Sequence, residues 1–306
     1  MTAIAPQNLT YNHRSPYLTT AEFKGSPVAA AVDVSNLVPN GDLAVQERAL
    51  SEMINQASAY ADNYCLGAIG TLSASVNTEN GRFRQTRQGF WTIHPAFWPI
   101  LEVRSFAVGL TPSQFDALPI DNSTCFIEQR QFTVTTSGLT TSSAGPLSFS
   151  ATGRPWSRPY FVKYDYVNGF FNQFLSAQVA KAATSIALSD TVGLYPGTSF
   201  TIYDGPLTET ATVDSSWDSV SSTVPLTTGL AYGHGTGVHC STIPATVKQA
   251  VTHVVVSMIK QRGQGGLVLD ELGQPVAVTS SIETSMGDLV RAQELLNAFK
   301  QIWGRS

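Results

Sequence analysis

The first candidate for chemistry is a short stretch that contains two histidines and a cysteine. His234, His239 and Cys240 are residue types that bind zinc, and they lie close together in the sequence. A structural zinc site needs four ligands, and no second pair of cysteines completes one here. We therefore interpret the histidines as polar loop residues and Cys240 as a buried thiol. The sequence predicts no metal and no other cofactor.

Candidate acids and bases are scattered along the chain. His94, Asp116 and Asp121 could form a hydrolytic site only if folding brought them together, and Asp270 and Glu271 form an acidic pair without an evident base. The chain contains no G-x-S-x-G, H-E-x-x-H or Walker A motif. We therefore expect that the protein is not an enzyme and has no catalytic residues.

The densest basic cluster consists of Arg82, Arg84 and Arg87, with Phe83 and Phe90 nearby, a combination that can bind nucleic acid. Strand alternation places Arg82 and Arg84 on one face, so a solvated or inter-subunit salt-bridging face is the preferred interpretation. The chain has 18 basic and 22 acidic residues, a net charge of −4, and only 13% charged residues. This composition argues against binding nucleic acid by neutralising phosphates.

Aromatic residues near the middle and the end of the chain are the candidates for protein contacts, because tryptophan and arginine dominate binding hot spots. Trp156 lies between Arg154 and Arg158, and Phe299 and Trp303 lie in the last stretch of the sequence. We assign these five residues to binding a partner protein or a neighbouring subunit. Packing of the rings against their own chain remains the alternative.

Helices are predicted on both sides of a long middle region. Residues 19–24 form a short helix that begins with a capping box. Apolar residues at spacings of three and four predict a long amphipathic helix over residues 42–66, with Asp42 as its N-cap. Further helices are predicted over residues 244–263 and 288–302.

The middle of the chain has strand alternation and turn residues. Residues 82–167 are predicted to form a β-rich insertion, and residues 168–243 a small module of short strands. Residues 1–81 and 244–306 flank these regions and are expected to pack together. The predicted fold class is α+β, with a helical core made of the long N-terminal helix and two C-terminal helices. A large inserted β region contains the small β-barrel or sandwich module.

Cysteine usage and hydropathy bear on the compartment. Cys65, Cys125 and Cys240 are widely spaced and odd in number, so we expect buried thiols in a reducing cytosol and no disulfide framework. The first residues lack the pattern of a secretory signal, and no apolar run is long enough to span a membrane.

Several segments resemble the head-to-tail connector (adaptor) proteins of tailed bacteriophages. The helical part of the resemblance lies in residues 17–23 (YLTTAEF), 57–65 (ASAYADNYC), 243–250 (IPATVKQA), 259–263 (IKQRG) and 295–299 (LLNAF). These are packing patterns and not chemical motifs. The small module resembles a β module that is often inserted in this family in phages of actinobacteria, through residues 183–188 (ATSIAL), 195–198 (YPGT) and 203–205 (YDG).

The resemblance implies a structural virion protein in the neck between capsid and tail, assembled in the host cytoplasm. Such proteins form a homo-oligomeric ring, commonly of twelve copies, between the portal protein and a tail-completion or stopper protein. The ring lines the channel through which DNA passes without sequence-specific binding. Residues 131–153 and 263–286 are candidate loops that contact neighbours or narrow the channel, and the helix ending at Trp303 is expected to face the portal.

The alternative function is a virion-surface protein that binds carbohydrate through its β region. Trp156, Trp217 and Tyr232 would then be exposed on that region, because sugar rings stack on exposed aromatic side chains. Exposure of these three residues is therefore the feature that separates the alternatives.

Overall fold

The computed structural model describes residues 15–301, except residues 36, 68–69, 85, 87–89, 122, 136–158 and 263–278. Four α-helices and several antiparallel sheets occur in this part of the chain, so the predicted α+β class is confirmed. The side chains of residues 262 and 279–285 are not described. Of the helices in the described ranges, none is long and apolar enough to cross a membrane.

The first three helices form where caps and apolar spacing predicted them. The capping box of the first helix is present, with Thr19 Oγ1 accepting from the Glu22 N–H at 3.1 Å and Glu22 Oε2 accepting from the Thr19 N–H at 2.7 Å. Asp42 caps the long helix by accepting from the Val45 N–H at 2.9 Å. The helices are α1 (Thr20–Gly25), α2 (Leu43–Leu66), α3 (Ala245–Arg262) and α4 (Thr279–Leu296).

The last helix differs from its prediction at both ends. It begins at Thr279 and not at Asp288, so part of the predicted loop 263–286 is helical. Its first turns contain mainly serine and threonine, which carry no apolar period to detect. It ends at Leu296, and a short 3₁₀ turn, Asn297–Phe299, follows.

The strands occupy the middle of the chain and pair antiparallel. One strand begins at Ser75, so it crosses the boundary predicted between residues 81 and 82. Another, at Phe132–Thr135, lies within the predicted loop 131–153. The strands are β1 (Ser75–Arg84), β2 (Phe90–Ile93), β3 (Ile100–Thr111), β4 (Gln114–Leu118), β5 (Cys125–Ile127), β6 (Phe132–Thr135), β7 (Pro159–Asn168), β8 (Asn172–Phe174), β9 (Ser185–Ala187), β10 (Ser199–Tyr203), β11 (Glu209–Thr212), β12 (Thr223–Pro225) and β13 (His239–Ser241).

Two sheets enclose an aromatic core in the first part of the β region. Their strand orders are β1-β7-β3-β4 and β2-β6-β5. Buried side chains from both sheets meet in one cluster, where Phe132 contacts Phe106 and Tyr164 edge to face, with ring centroids 6.1 and 5.3 Å apart. These strands share a single core because each sheet has one apolar face to bury.

The small module has its own core. A sheet of order β11-β10-β13-β8 and the pair β12-β9 surround a cluster that includes Phe171, Phe200, Ile202 and Trp217. A third cluster joins the helices: Leu50 and Ile54 of α2 pack with Val251 and Val255 of α3 and with Leu296. The residues that the structure describes therefore form three hydrophobic clusters.

Candidate functional site

The structure describes one of the five residues assigned to partner binding. Arg154, Trp156, Arg158 and Trp303 lie outside the described residues. Phe299 is half-buried against the helical cluster, and its ring meets that of Phe170 edge to face with centroids 6.3 Å apart. Phe299 therefore contributes to packing within its own chain.

Hydrogen bonds and a cation–π contact hold residues 297–301 against α2. The Gln301 N–H donates to the Cys65 carbonyl at 2.8 Å, and the Tyr64 hydroxyl donates to Asn297 Oδ1 at 2.7 Å. Lys300 lies over the ring of Tyr64, with Nζ 4.8 Å from the centroid. The described chain thus ends beside the C-terminal end of α2.

The residues considered for zinc are held in separate networks. His234 Nδ1 lies 2.9 Å from Asp204 Oδ2, and its Nε2 lies 2.8 Å from Glu209 Oε1. His239 contacts other residues, and the Cys240 thiol donates to the Val238 carbonyl at 3.9 Å. Within the described ranges, no group of three histidine, cysteine, aspartate or glutamate residues is arranged to hold a metal ion.

The three cysteines are free thiols. Cys65 and Cys240 are buried, and Cys125 is half-buried. Burial raises the pKa of Cys65 and of Cys240 to about 12, and that of Cys125 to about 11. All three thiols are therefore protonated at neutral pH and are poor nucleophiles.

The carbohydrate hypothesis required exposed aromatic residues. Trp217 is only 6% exposed and packs in the core of the small module, so it does not meet this requirement. Tyr232 is exposed, and Trp156 lies outside the described residues. The described residues therefore supply one exposed aromatic of the three.

The candidate acids and arginines that the structure describes are exposed. Asp116 lies on β4, and Asp121 accepts hydrogen bonds from Ser123 and Thr124 in its own turn, which lowers its pKa. His94 follows β2, and Asp270 and Glu271 lie outside the described residues. Arg82 and Arg84 are exposed on β1, and Arg87 is not described. No contact joins His94, Asp116 and Asp121 in the described structure.

A largely buried polar cluster, which we call the junction, lies between the helices and the small module. Lys248 on α3 donates from Nζ to Glu22 Oε1 on α1 at 2.5 Å. His239 on β13 places Nδ1 3.0 Å from Glu22 Oε2 and 3.4 Å from Lys248 Nζ. The ammonium group also lies over the Tyr203 ring, 3.1 Å from its centroid. The junction therefore links α1, α3 and the module.

Burial and the charges of neighbouring groups together set the pKa values in the junction. Burial lowers the pKa of Lys248 to about 8, against the opposing effect of the Glu22 charge. It also lowers the pKa of His239, and the nearby Lys248 charge acts in the same direction. For Glu22, burial raises the pKa, but the contacts with His239 and Lys248 outweigh it and bring the pKa to about 2. Glu22 and Lys248 thus form a buried ion pair at neutral pH.

Asn172 extends the junction to the N-terminal segment. Its Oδ1 lies 2.6 Å from His239 Nε2, and its Nδ2 donates to the carbonyls of Ser15 and Pro16 at 3.1 and 3.2 Å. A single buried amide therefore connects β8, β13 and the chain before α1. This arrangement fixes how the small module sits on the helices.

Sequence reasoning assigned Glu22 only to a helix cap and missed its buried ion pair. The available signal was Lys248, which lies next to Val247 and on the same side of α3 as the buried Val251. A lysine within an apolar stripe is rarely buried unless it is paired. The identity of its partner depends on tertiary packing, which the sequence does not show.

No protein-family model matches the chain, and no curated protein matches it significantly.

Proposed function

We propose that the protein is a structural ring component, a head-to-tail connector between a phage portal and a tail-completion or stopper protein. The proposal follows the resemblance of its helical segments to that family. In this proposal residues 1–81 and 244–306 form the helical connector core. Residues 82–167 are a β-rich insertion, and residues 168–243 are a small barrel-like module.

The observation that carries the proposal is the convergence of the segments that resemble connectors. They lie far apart in sequence, yet each contributes buried or half-buried side chains to the same hydrophobic cluster of helices. A chance resemblance of short segments gives no reason for such convergence. The contributing residues include Tyr17, Phe23, Ala57, Cys65, Val247, Ile259, Leu295 and Phe299.

The low charge of the chain supports the proposal that the protein lines a channel for DNA. A net charge of −4 and a charged share of 13% leave a mostly neutral surface. A channel that lets DNA pass must not hold its phosphates, and few basic residues are available to do so. Serine and threonine make up about a fifth of the chain and supply neutral polar groups for contacts between subunits.

The test is native mass spectrometry of the purified chain with the portal ring encoded by the same phage genome. We expect the portal mass to increase by about twelve copies of a 32.8 kDa chain, the copy number common in cyclic connectors. A chain that remains a monomer or dimer and leaves the portal mass unchanged would refute the proposal. Binding to a glycan array would then favour the carbohydrate alternative.

A single substitution tests the placement of the last residues against the portal. Deleting residues 287–306 is unsuitable because it removes Ala292 and Leu296, which are fully buried. We therefore propose Trp303→Ala, with an expected loss of at least tenfold in portal affinity, about 1.4 kcal/mol. Phe126→Ala is the control, because Phe126 is an exposed aromatic on β5 and should leave affinity unchanged. Equal affinities of Trp303→Ala and the unmodified chain would contradict the placement.

A further inference from the structure

We propose that neighbouring copies of this chain join edge to edge, with strand β4 of one subunit pairing antiparallel with strand β1 of the next. This inference rests on the proposed ring function. It specifies the strands through which adjacent subunits contact each other. The argument comes from the strand order, direction and register of the sheet β1-β7-β3-β4.

In the part of the chain that the structure describes, the two outer strands of this sheet each pair on one side only. Within the described ranges, β1 pairs only with β7, and β4 pairs only with β3. β1 pairs with β7 at ten consecutive positions without a bulge, and it contains no proline. Val76 on this strand is 46% exposed. An edge strand presents unpaired N–H and C=O groups that can pair with another chain. β1 carries the charged residues Glu79, Arg82 and Arg84, but it has no proline, bulge or short length to oppose pairing, so a partner strand can add along it.

The strand directions allow this sheet to continue from one subunit into the next. Each adjacent pair, β1 with β7, β7 with β3, and β3 with β4, is antiparallel. With four alternating strands, β4 runs opposite to β1. When copies repeat head to tail around a ring, β4 of one copy therefore meets β1 of the next in the antiparallel orientation. The three-stranded sheet β2-β6-β5 lacks this property, because its outer strands run in the same direction.

Register shows which residues face each other in such a repeat. Asn80, Lys163, Ala107 and Ala117 form one row across the four strands. Without stagger, the row continues from Ala117 to Asn80 of the next copy. Closing a sheet into a ring requires a stagger between strands, so positions two residues away on the same face are equally suitable.

Charge favours the approach of these two edges. Arg82 and Arg84 are exposed on β1, and Asp116 is exposed on β4. Asp116 is in register with the buried Val108, whereas Arg82 is in register with Phe161 on the other face, so they form no single ion pair. Opposite charges on the two edges steer them together and oppose pairing of β1 with a second β1. The interface is therefore heterologous, as a ring requires.

Disulfide trapping tests the pairing directly. We combine Ala117→Cys with Thr78→Cys, Asn80→Cys or Arg82→Cys, three positions on one face of β1, in a Cys125→Ser background. Two strands lie between β4 and β1 within one subunit, so the paired positions are about 14 Å apart and cannot form an internal bond. Mild oxidation of the chain bound to the portal should place most of the protein in a ladder of covalent oligomers for at least one pair.

Two controls and a parallel measurement make each outcome decisive. Ala117→Cys alone should yield at most a dimer. Lys163→Cys with Ala117→Cys should yield no ladder, because Lys163 is exposed but lies on the interior strand β7. Native mass spectrometry of the same samples reports whether the ring assembles on the portal. A ring without a ladder for any of the three pairs overturns the edge pairing and leaves the connector function standing. A ladder without portal binding supports the pairing and refutes the function, and absence of both refutes both.

Discussion

Two buried histidines lie five residues apart in sequence but belong to different polar networks. One network is confined to the small module, and the other joins the module to the helices. His234 lies between Asp204 and Glu209, and all three residues belong to the small module. His239 lies in the junction, whose partners come from residue 22 to residue 248. Both imidazole side chains are fully buried. The first network shapes a turn within one core, and the second connects separate cores.

Solvent access differs as well. Asp204 retains 32% of its side-chain exposure and Glu209 retains 13%, whereas Glu22 and Lys248 retain 11% and 9%. On the Asp204 side of His234, water can therefore replace a lost contact more readily than in the junction. We conclude that the junction should be the more costly of the two to disrupt, and that its effects should extend to the helices.

The largest expected effect comes from removing one charge of the buried ion pair between Glu22 and Lys248. Glu22→Gln retains a side chain that can complete the capping box, but it leaves the Lys248 charge buried without its partner. We expect a loss of about 3–5 kcal/mol in the free energy of unfolding. Chemical denaturation monitored by circular dichroism measures it.

A double variant separates this charge effect from a loss of shape. Adding Lys248→Met to Glu22→Gln removes both charges and should recover most of the lost stability. If Glu22→Gln alone costs less than about 1 kcal/mol, the ion pair is solvated and the comparison between the two networks fails.

The second prediction tests whether the His234 network stabilises only the small module. His234→Ala should cost about 1–3 kcal/mol, because Glu209 keeps hydrogen bonds from the backbone N–H groups of Ala231 and Tyr232 at 2.7 and 3.0 Å. Hydrogen exchange should increase in β10 and β11 and remain unchanged in α2 and α3. Equal loss of protection in the helices would show that this network is not local.

The third effect is a pH dependence that belongs to the junction. The pKa of His239 is lowered in the folded state, so the unfolded chain, with a pKa near about 6.5, binds the proton more readily. Stability therefore decreases as the pH falls through and below that value, by at most about 1.4 kcal/mol per pH unit for one proton. Glu22, whose folded pKa is about 2, adds a further loss only below about pH 4.5.

The measurement is the denaturation midpoint from pH 7.5 to pH 5. His239→Gln retains a hydrogen-bond donor toward Asn172 and lacks the titrating group. We expect the unmodified chain to lose stability over this interval and the variant to lose less of it. Parallel pH curves for the two proteins would assign the dependence to other groups.

What the sequence predicted well was local. The cap at Asp42, the apolar spacing of α2 and the alternation of β7 each depend on neighbouring residues, and each element formed. The start of β1 was missed because its first half, Ser75–Asn80, has polar residues on both faces. Alternation between apolar and polar residues cannot reveal a strand of that composition.

What the sequence could not predict depends on tertiary contacts. The cap residue Glu22 gave no sign of Lys248, which lies more than two hundred residues away. The carbohydrate alternative required an exposed Trp217, but the residues of the module core enclose this side chain. In both cases the surroundings of the residue were decided by which elements pack together.

The smallest expected effect concerns an exposed ion pair that, like the buried pair in the junction, involves a residue of α1. Lys24 and Glu47 form a salt bridge between α1 and α2, and each side chain is 38% exposed. Lys24→Met should cost about 0–1 kcal/mol and less at high salt, because solvent and ions already screen this pair. Denaturation in low and high salt, beside Glu22→Gln, measures the difference. If both variants lost the same stability, damage to α1 and not burial of charge would explain the cost at the junction.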